Sequence, residues 1–149
     1  MFNYLFPTGF KKTAILFVSV LFISDVCAVQ KPHAPQSIQD VRVVSAEEVI
    51  NLVLTEPDLL IIDSRKKSEY LKGHIEGAVN ILNTRLTRED LESIAIDKSR
   101  AILFYCNGAR CLRSSDSINK AKSWDYHNLI WFRGGWKEWT EKRLPVITD

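Results

Sequence analysis

Three apolar runs without alternation restrict this chain to few architectures. They are Leu59-Leu60-Ile61-Ile62, Ala101-Ile102-Leu103-Phe104-Tyr105 and Leu129-Ile130-Trp131-Phe132. A strand with one face in water alternates polar and apolar residues; a strand without alternation is covered on both faces. Two further strands read over 41–44 and 78–81. Between the strands lie helical stretches. Ser45-Ala46-Glu47-Glu48 has the form of a capping box, with Glu48 at N3, and predicts a helix over about 46–54. Helices are also expected over 66–72, 87–94, 114–122 and 136–142, the last closing before Pro145. Strands alternating with helices predict an α/β fold, with a central, mostly parallel five-stranded sheet and helices on both faces. Sites in such sheets lie at the carboxyl ends of the strands.

The first 28 residues read as a signal peptide rather than as part of that fold. Lys11 and Lys12 form a basic start, 13–24 an apolar stretch, and Val26-Cys27-Ala28 a cleavage site after Ala28. The apolar stretch is shorter than the roughly 20 residues a membrane-spanning helix needs. A periplasmic location is the expectation. Residues 29–40, with Pro32 and Pro35, read as a flexible leader, and 41–149 as the domain. The part after Ala28, about 121 residues, is the size of one ordinary domain and is expected to be monomeric. A formal charge of +2 gives no reason to expect nucleic acid as a partner. Two of the three cysteines, Cys106 and Cys111, lie beyond the signal peptide. They are too few to staple a fold that lacks its own core.

Cys106 ends the 101–105 run and opens the stretch Cys106-Asn107-Gly108-Ala109-Arg110-Cys111-Leu112-Arg113-Ser114. A thiol at a strand tip, before a tight loop and a helix start, meets backbone N–H groups and the positive end of a helix dipole. That setting favours a thiolate nucleophile. A free cysteine is often simply a packed hydrophobe, and that reading stands beside the chemical one at this point. Arg110 and Arg113 add positive charge suited to an oxyanion substrate. Asn107, Gly108 and Ala109 supply the loop amides that would cradle it. No second histidine stands at ligand spacing from His74, and Cys-x4-Cys is a poor zinc pattern, so neither metal nor cofactor is expected.

At this loop the chain resembles the single-domain rhodanese family. Upstream, Ile61-Ile62-Asp63-Ser64-Arg65, Glu69-Tyr70 and Gly73-His74-Ile75-Glu76-Gly77-Ala78-Val79-Asn80 are similar to the family's first signature. Downstream, Trp131-Phe132-Arg133-Gly134-Gly135-Trp136-Lys137-Glu138-Trp139 is similar to its closing element. The resemblance covers about 41–147. It implies a rhodanese-like fold and sulfur transfer through a Cys106 persulfide. The expected partners are a small anionic sulfur donor such as thiosulfate and a thiol or cyanide acceptor, with room for an unidentified protein partner. The resemblance makes Asp63 and Arg65 residues that frame the site rather than acid–base groups. His74 becomes a packed histidine bonded to backbone, and the tryptophans 131, 136 and 139 become core and rim.

The chain also departs from that family. Arg113-Ser114 stands two places later than the family's usual Arg-Ser-like pair, whereas Arg110 matches a variant with arginine four after the cysteine. Either the loop is longer, or the helix begins early at Cys111-Leu112. A longer loop is associated with phosphatases and arsenate reductases of the superfamily. Cys111 is a redox partner for Cys106, able to pair with it or to resolve its persulfide. A thiol-disulfide protein and a non-catalytic binding module stay open as alternatives.

Overall fold

The computed structural model describes residues 33–148. The signal-peptide reading of 1–28 lies outside the described residues. Five strands form one sheet: β1 Arg42–Val43, β2 Leu60–Asp63, β3 Ala78–Asn80, β4 Ile102–Tyr105 and β5 Leu129–Phe132. Their order is β1-β5-β4-β2-β3, and every pairing is parallel. The sheet is therefore wholly parallel, where the sequence predicted a mostly parallel one. The three runs without alternation occupy the three inner positions, and every residue of β2, β4 and β5 is buried.

Alternate residues of those strands feed two cores. Leu60, Ile62, Ile102, Phe104, Leu129 and Trp131 face one side, against Leu91 of α3 (Arg88–Ile94) and Ile118 and Ala121 of α4 (Leu112–Ser123). Ile61, Leu103, Tyr105, Ile130 and Phe132 face the other. There they meet Val49 and Leu52 of α1 (Ala46–Thr55) and Trp139 of α5 (Gly135–Glu141). A short helix, α2 (Lys67–Tyr70), follows β2. The capping box at Ser45 forms: its hydroxyl accepts from the Glu48 amide and its own amide donates to the Glu48 carboxylate. Such a cap stabilises a helix by about 1 kcal/mol.

Two expectations need correction. The helix after the Cys106 loop begins at Leu112, not at 114; of the two alternatives left open, the early start holds and the loop is not lengthened. Cys111 is its N-cap and makes no side-chain cap bond, which is why no Ser, Thr, Asp or Asn marked the boundary. The described part of the 29–40 leader is also not loose. Ala34 is buried, Ile38 packs on the core, and the Arg133 guanidinium donates to the Pro35 carbonyl at 2.7 Å. Ala34, between the prolines, and Ile38, beyond them, gain enough buried surface to dock.

Candidate functional site

The register of the sheet sets the site. Asp63 of β2 pairs with Tyr105 of β4, and Tyr105 with Phe132 of β5, so three strands end at one level. The loops that follow them share the carboxyl edge, where ligands of open parallel sheets bind.

Cys106 stands directly after β4 and is 1% exposed. Its Sγ lies 3.5 Å from the Ser114 hydroxyl, which donates to it. The Trp131 indole N–H in turn donates to Ser114 Oγ at 3.0 Å. A buried tryptophan on β5 thereby fixes a hydroxyl on the first turn of α4 against the sulfur. A hydrogen bond to the charged form of a thiol favours that form.

Cys106 and Cys111 are joined as a disulfide, with Cα atoms 6.4 Å apart. The early helix start does not keep the sulfurs apart. Cys111 is the N-cap, with extended backbone (φ −81°, ψ 120°), so its side chain still belongs to the loop. The Cys111 amide donates to the Gly108 carbonyl at 2.9 Å and bends the loop back. The N–H groups of 107–110 have no protein acceptor among the described residues. They are free to meet an anion, as in a backbone nest.

The start of the loop is held by α5. The Trp136 amide donates to the Cys106 carbonyl at 2.8 Å and the Lys137 amide to the Asn107 carbonyl at 3.0 Å. This approach requires Gly135. Its φ is +55°, and a Cβ there would stand 2.2 Å from the Cys106 carbonyl oxygen. Backbone strain of this kind costs about 1–3 kcal/mol before the clash is counted. Gly135→Ala is expected to lower the melting temperature by roughly 5–15 °C. Differential scanning calorimetry checks this, and an unchanged melt would refute the close-approach account.

A pocket of about 770 Å³ opens on the loop, lined by Asn107, Gly108, Ala109, Arg110, Cys111, Leu112, Arg113 and Lys137. The structure brings Arg110 and Arg113 to the same wall but separates their roles. Arg113 donates to the Glu69 carboxylate at 2.9 Å, and Asn107 donates to its other oxygen at 2.7 Å. Both side chains line the pocket, and each spends one donor on Glu69. Arg110 is exposed and has no hydrogen-bond or ion-pair partner among the described residues. Glu69, which the sequence marked only as part of a resemblance, is thus the strut between α2 and the loop. Burial raises its pKa. The donors Asn107, the Lys66 amide and Arg113 outweigh this and hold it below the ordinary glutamate value.

Asp63 and Arg65 sit behind the loop as a buried ion pair at 2.6 Å. Asp63 also accepts from the Tyr105 hydroxyl at 2.6 Å, and Arg65 donates to the Gly73 carbonyl at 2.7 Å and lies over the Trp136 ring. Burial works against the Arg65 charge, but Asp63 more than offsets it and keeps the guanidinium pKa above its usual value. Burial, then the Asp63 charge, push the Tyr105 hydroxyl far up, so it remains a donor. Neither residue reaches the pocket. His74 accordingly packs: its ring stacks on Tyr70 at 3.8 Å, its Nδ1 lies 3.2 Å from the Tyr70 carbonyl, and its backbone pairs with Ile147.

Comparisons with known proteins give the family and the fold. The family model "Rhodanese-like domain" matches residues 45–142. The tRNA uridine(34) hydroxylase of Escherichia coli is 36% identical over 110 residues, 65% of this chain but 29% of that protein. The solution structure of the rhodanese-like domain of the Alr3790 protein from Anabaena sp. is 25% identical. It superposes with a TM-score of 0.61, over 80% of this chain and 81% of that one. The thiosulfate sulfurtransferase of Pseudomonas aeruginosa shares the fold, with a TM-score of 0.59 and 22% identity over 72% of this chain and 20% of that one.

Proposed function

The chain belongs to the rhodanese-like domain family, and from that premise we propose that it is an exported sulfurtransferase that carries sulfane sulfur on Cys106. One observation carries the reading. The thiol sits at the end of a central parallel strand, with a hydroxyl donor at 3.5 Å and a loop of unengaged amides around it. The signal-peptide anatomy of 1–28 supports export to the periplasm.

The reduced thiolate attacks the outer sulfur of a donor such as thiosulfate. A new bond forms between Cys106 Sγ and that sulfur. The old sulfur–sulfur bond breaks, and sulfite leaves with its electron pair. The enzyme persulfide carries the negative charge on its terminal sulfur, where the amides of 107–110 would receive it. A thiolate or cyanide then takes the outer sulfur and restores the Cys106 thiolate. Two half-reactions of this kind give ping-pong kinetics. Arg110, the unpaired cation on the pocket wall, is suited to the sulfonate end of the donor.

The short loop supports this reading over a phosphatase-like one. Six residues, Cys106 to Cys111, precede the helix, which leaves a cradle without the extra length associated with bulkier oxyanions in the superfamily.

The test is an assay of the reduced protein with thiosulfate and cyanide, beside an aryl phosphate assay. Thiocyanate is expected from the first and no phosphate from the second; the reverse pattern would overturn the proposal. Arg110→Ala should raise KM for thiosulfate about 3–10-fold, the scale of a partly exposed charge-assisted bond, with a smaller effect on a neutral thiol acceptor. Steady-state kinetics in each substrate checks it, and unchanged donor kinetics would return Arg110 to the solvated surface.

A further inference from the structure

The sulfur-carrier reading is the ground for a second step, in which Cys111 takes part. We infer that Cys111 is a resolving thiol: it attacks the Cys106 persulfide, expels hydrosulfide, and leaves the Cys106–Cys111 disulfide as the closing state of the turnover. The protein is then a reductase of sulfane sulfur that draws on an external dithiol, as well as a carrier.

Three observations support the step. First, the disulfide forms with β4 and α4 both in place. The Cα separation of 6.4 Å lies within the usual range, and the N-cap position of Cys111 leaves its side chain in the loop. The Cys111 sulfur therefore reaches the inner sulfur of a persulfide without unwinding the helix. Second, the pair is asymmetric. Cys106 is 1% exposed, whereas Cys111 is half-buried and lines the pocket from which Cys106 is absent. With the disulfide closed, a sulfur donor in the pocket meets Cys111 and not the nucleophile. Third, Cys106 Sγ has a donor of its own in the Ser114 hydroxyl, itself fixed by Trp131.

The chemistry balances. The Cys111 thiolate forms a bond to Cys106 Sγ, and the bond from that atom to the outer sulfur breaks. The outer sulfur leaves as hydrosulfide, taking the electron pair and one proton from solvent. An external dithiol, a small molecule or a dithiol protein, reopens the pair. Its thiolate attacks the accessible sulfur of Cys111, and Cys106 leaves as a thiolate that Ser114 receives. The second thiol of the reductant then frees Cys111. In sum, thiosulfate and a dithiol become sulfite, hydrosulfide and the reductant's disulfide. The leaving sulfur in thiol–disulfide exchange is the one best held as a thiolate, and here that is Cys106.

A single turnover decides the matter. Protein is fully reduced, freed of reductant without oxygen, and mixed with one equivalent of thiosulfate. Sulfite, hydrosulfide and intact mass are then measured. Wild type is expected to yield about one equivalent each of sulfite and hydrosulfide and to lose about 2 Da, the two thiol hydrogens. Cys111→Ser is expected to yield sulfite with loss of hydrosulfide release, and to hold an adduct of about 32 Da that cyanide removes. If wild type releases sulfite yet keeps a stable adduct without hydrosulfide, the resolving step is overturned while the sulfur-carrier reading stands. If wild type releases no sulfite at all, both fall. The wild-type stoichiometry is decisive even if the variant folds poorly.

Discussion

Cys106→Ser is expected to abolish release of sulfite from thiosulfate and formation of thiocyanate. The loss should be about 10⁴-fold or more, the scale seen when a sole covalent nucleophile is removed. Sulfite is the better readout, because it leaves in the first half-reaction whichever thiol later takes the sulfur. The variant should keep the fold. Serine is close in volume, and Ser114 Oγ, now 3.5 Å from sulfur, can donate to the new hydroxyl as well. Equal melting temperatures with no sulfite would place the nucleophile at Cys106. Sulfite release that survives the substitution would move the chemistry elsewhere, with Cys111 the next thiol to test.

The second large effect concerns stability. Arg65→Ala should cost about 3–5 kcal/mol, the usual penalty for removing one partner of a buried ion pair. Asp63 is fully buried, and it accepts from the Arg65 amide, from the Arg65 guanidinium and from the Tyr105 hydroxyl. Without the guanidinium it keeps a charge with too few donors. The Gly73 carbonyl loses its donor at the same time, and Trp136 loses the cation over its ring. Because Trp136 also anchors the Cys106 carbonyl, activity should fall with stability. Replacing both charged residues, Asp63→Asn with Arg65→Met, should cost less than the two single changes combined, since neither leaves an unpaired charge. Urea unfolding measures all three variants. A loss below about 1 kcal/mol for Arg65→Ala would mean that water reaches this pair.

How much of this was legible in the sequence varied with the kind of interaction. The three inner strands were plain, since a run such as Ile102-Leu103-Phe104-Tyr105 leaves no face for water. The capping box at Ser45 was equally plain, because it involves residues three apart. The start of α4 was misplaced because its N-cap is a cysteine that caps nothing with its side chain. The leader was misread because prolines signal loops but say nothing about where Ala34 and Ile38 can tuck in. At the site, the position of Cys106 at the tip of a central strand was legible. The difference between Arg110 and Arg113 was not, since it depends on Glu69, a residue 44 positions from Arg113. The role of Ser114 likewise depends on Trp131, 17 positions away on another strand. Contacts of that range are products of the fold and leave no local mark.

The hold that α5 has on the Cys106 loop bears on biosynthesis. The residues that fix the carbonyls of Cys106 and Asn107 are Trp136 and Lys137, some thirty positions further along the chain. A nascent chain that ends before Gly135 already carries the thiol, its strand, the whole of α4 and β5. It lacks the donors that set the loop's shape and the glycine that lets them approach. The reactive centre is therefore completed only when α5 packs, and the thiol is shaped for its chemistry after the strand that carries it is already in place.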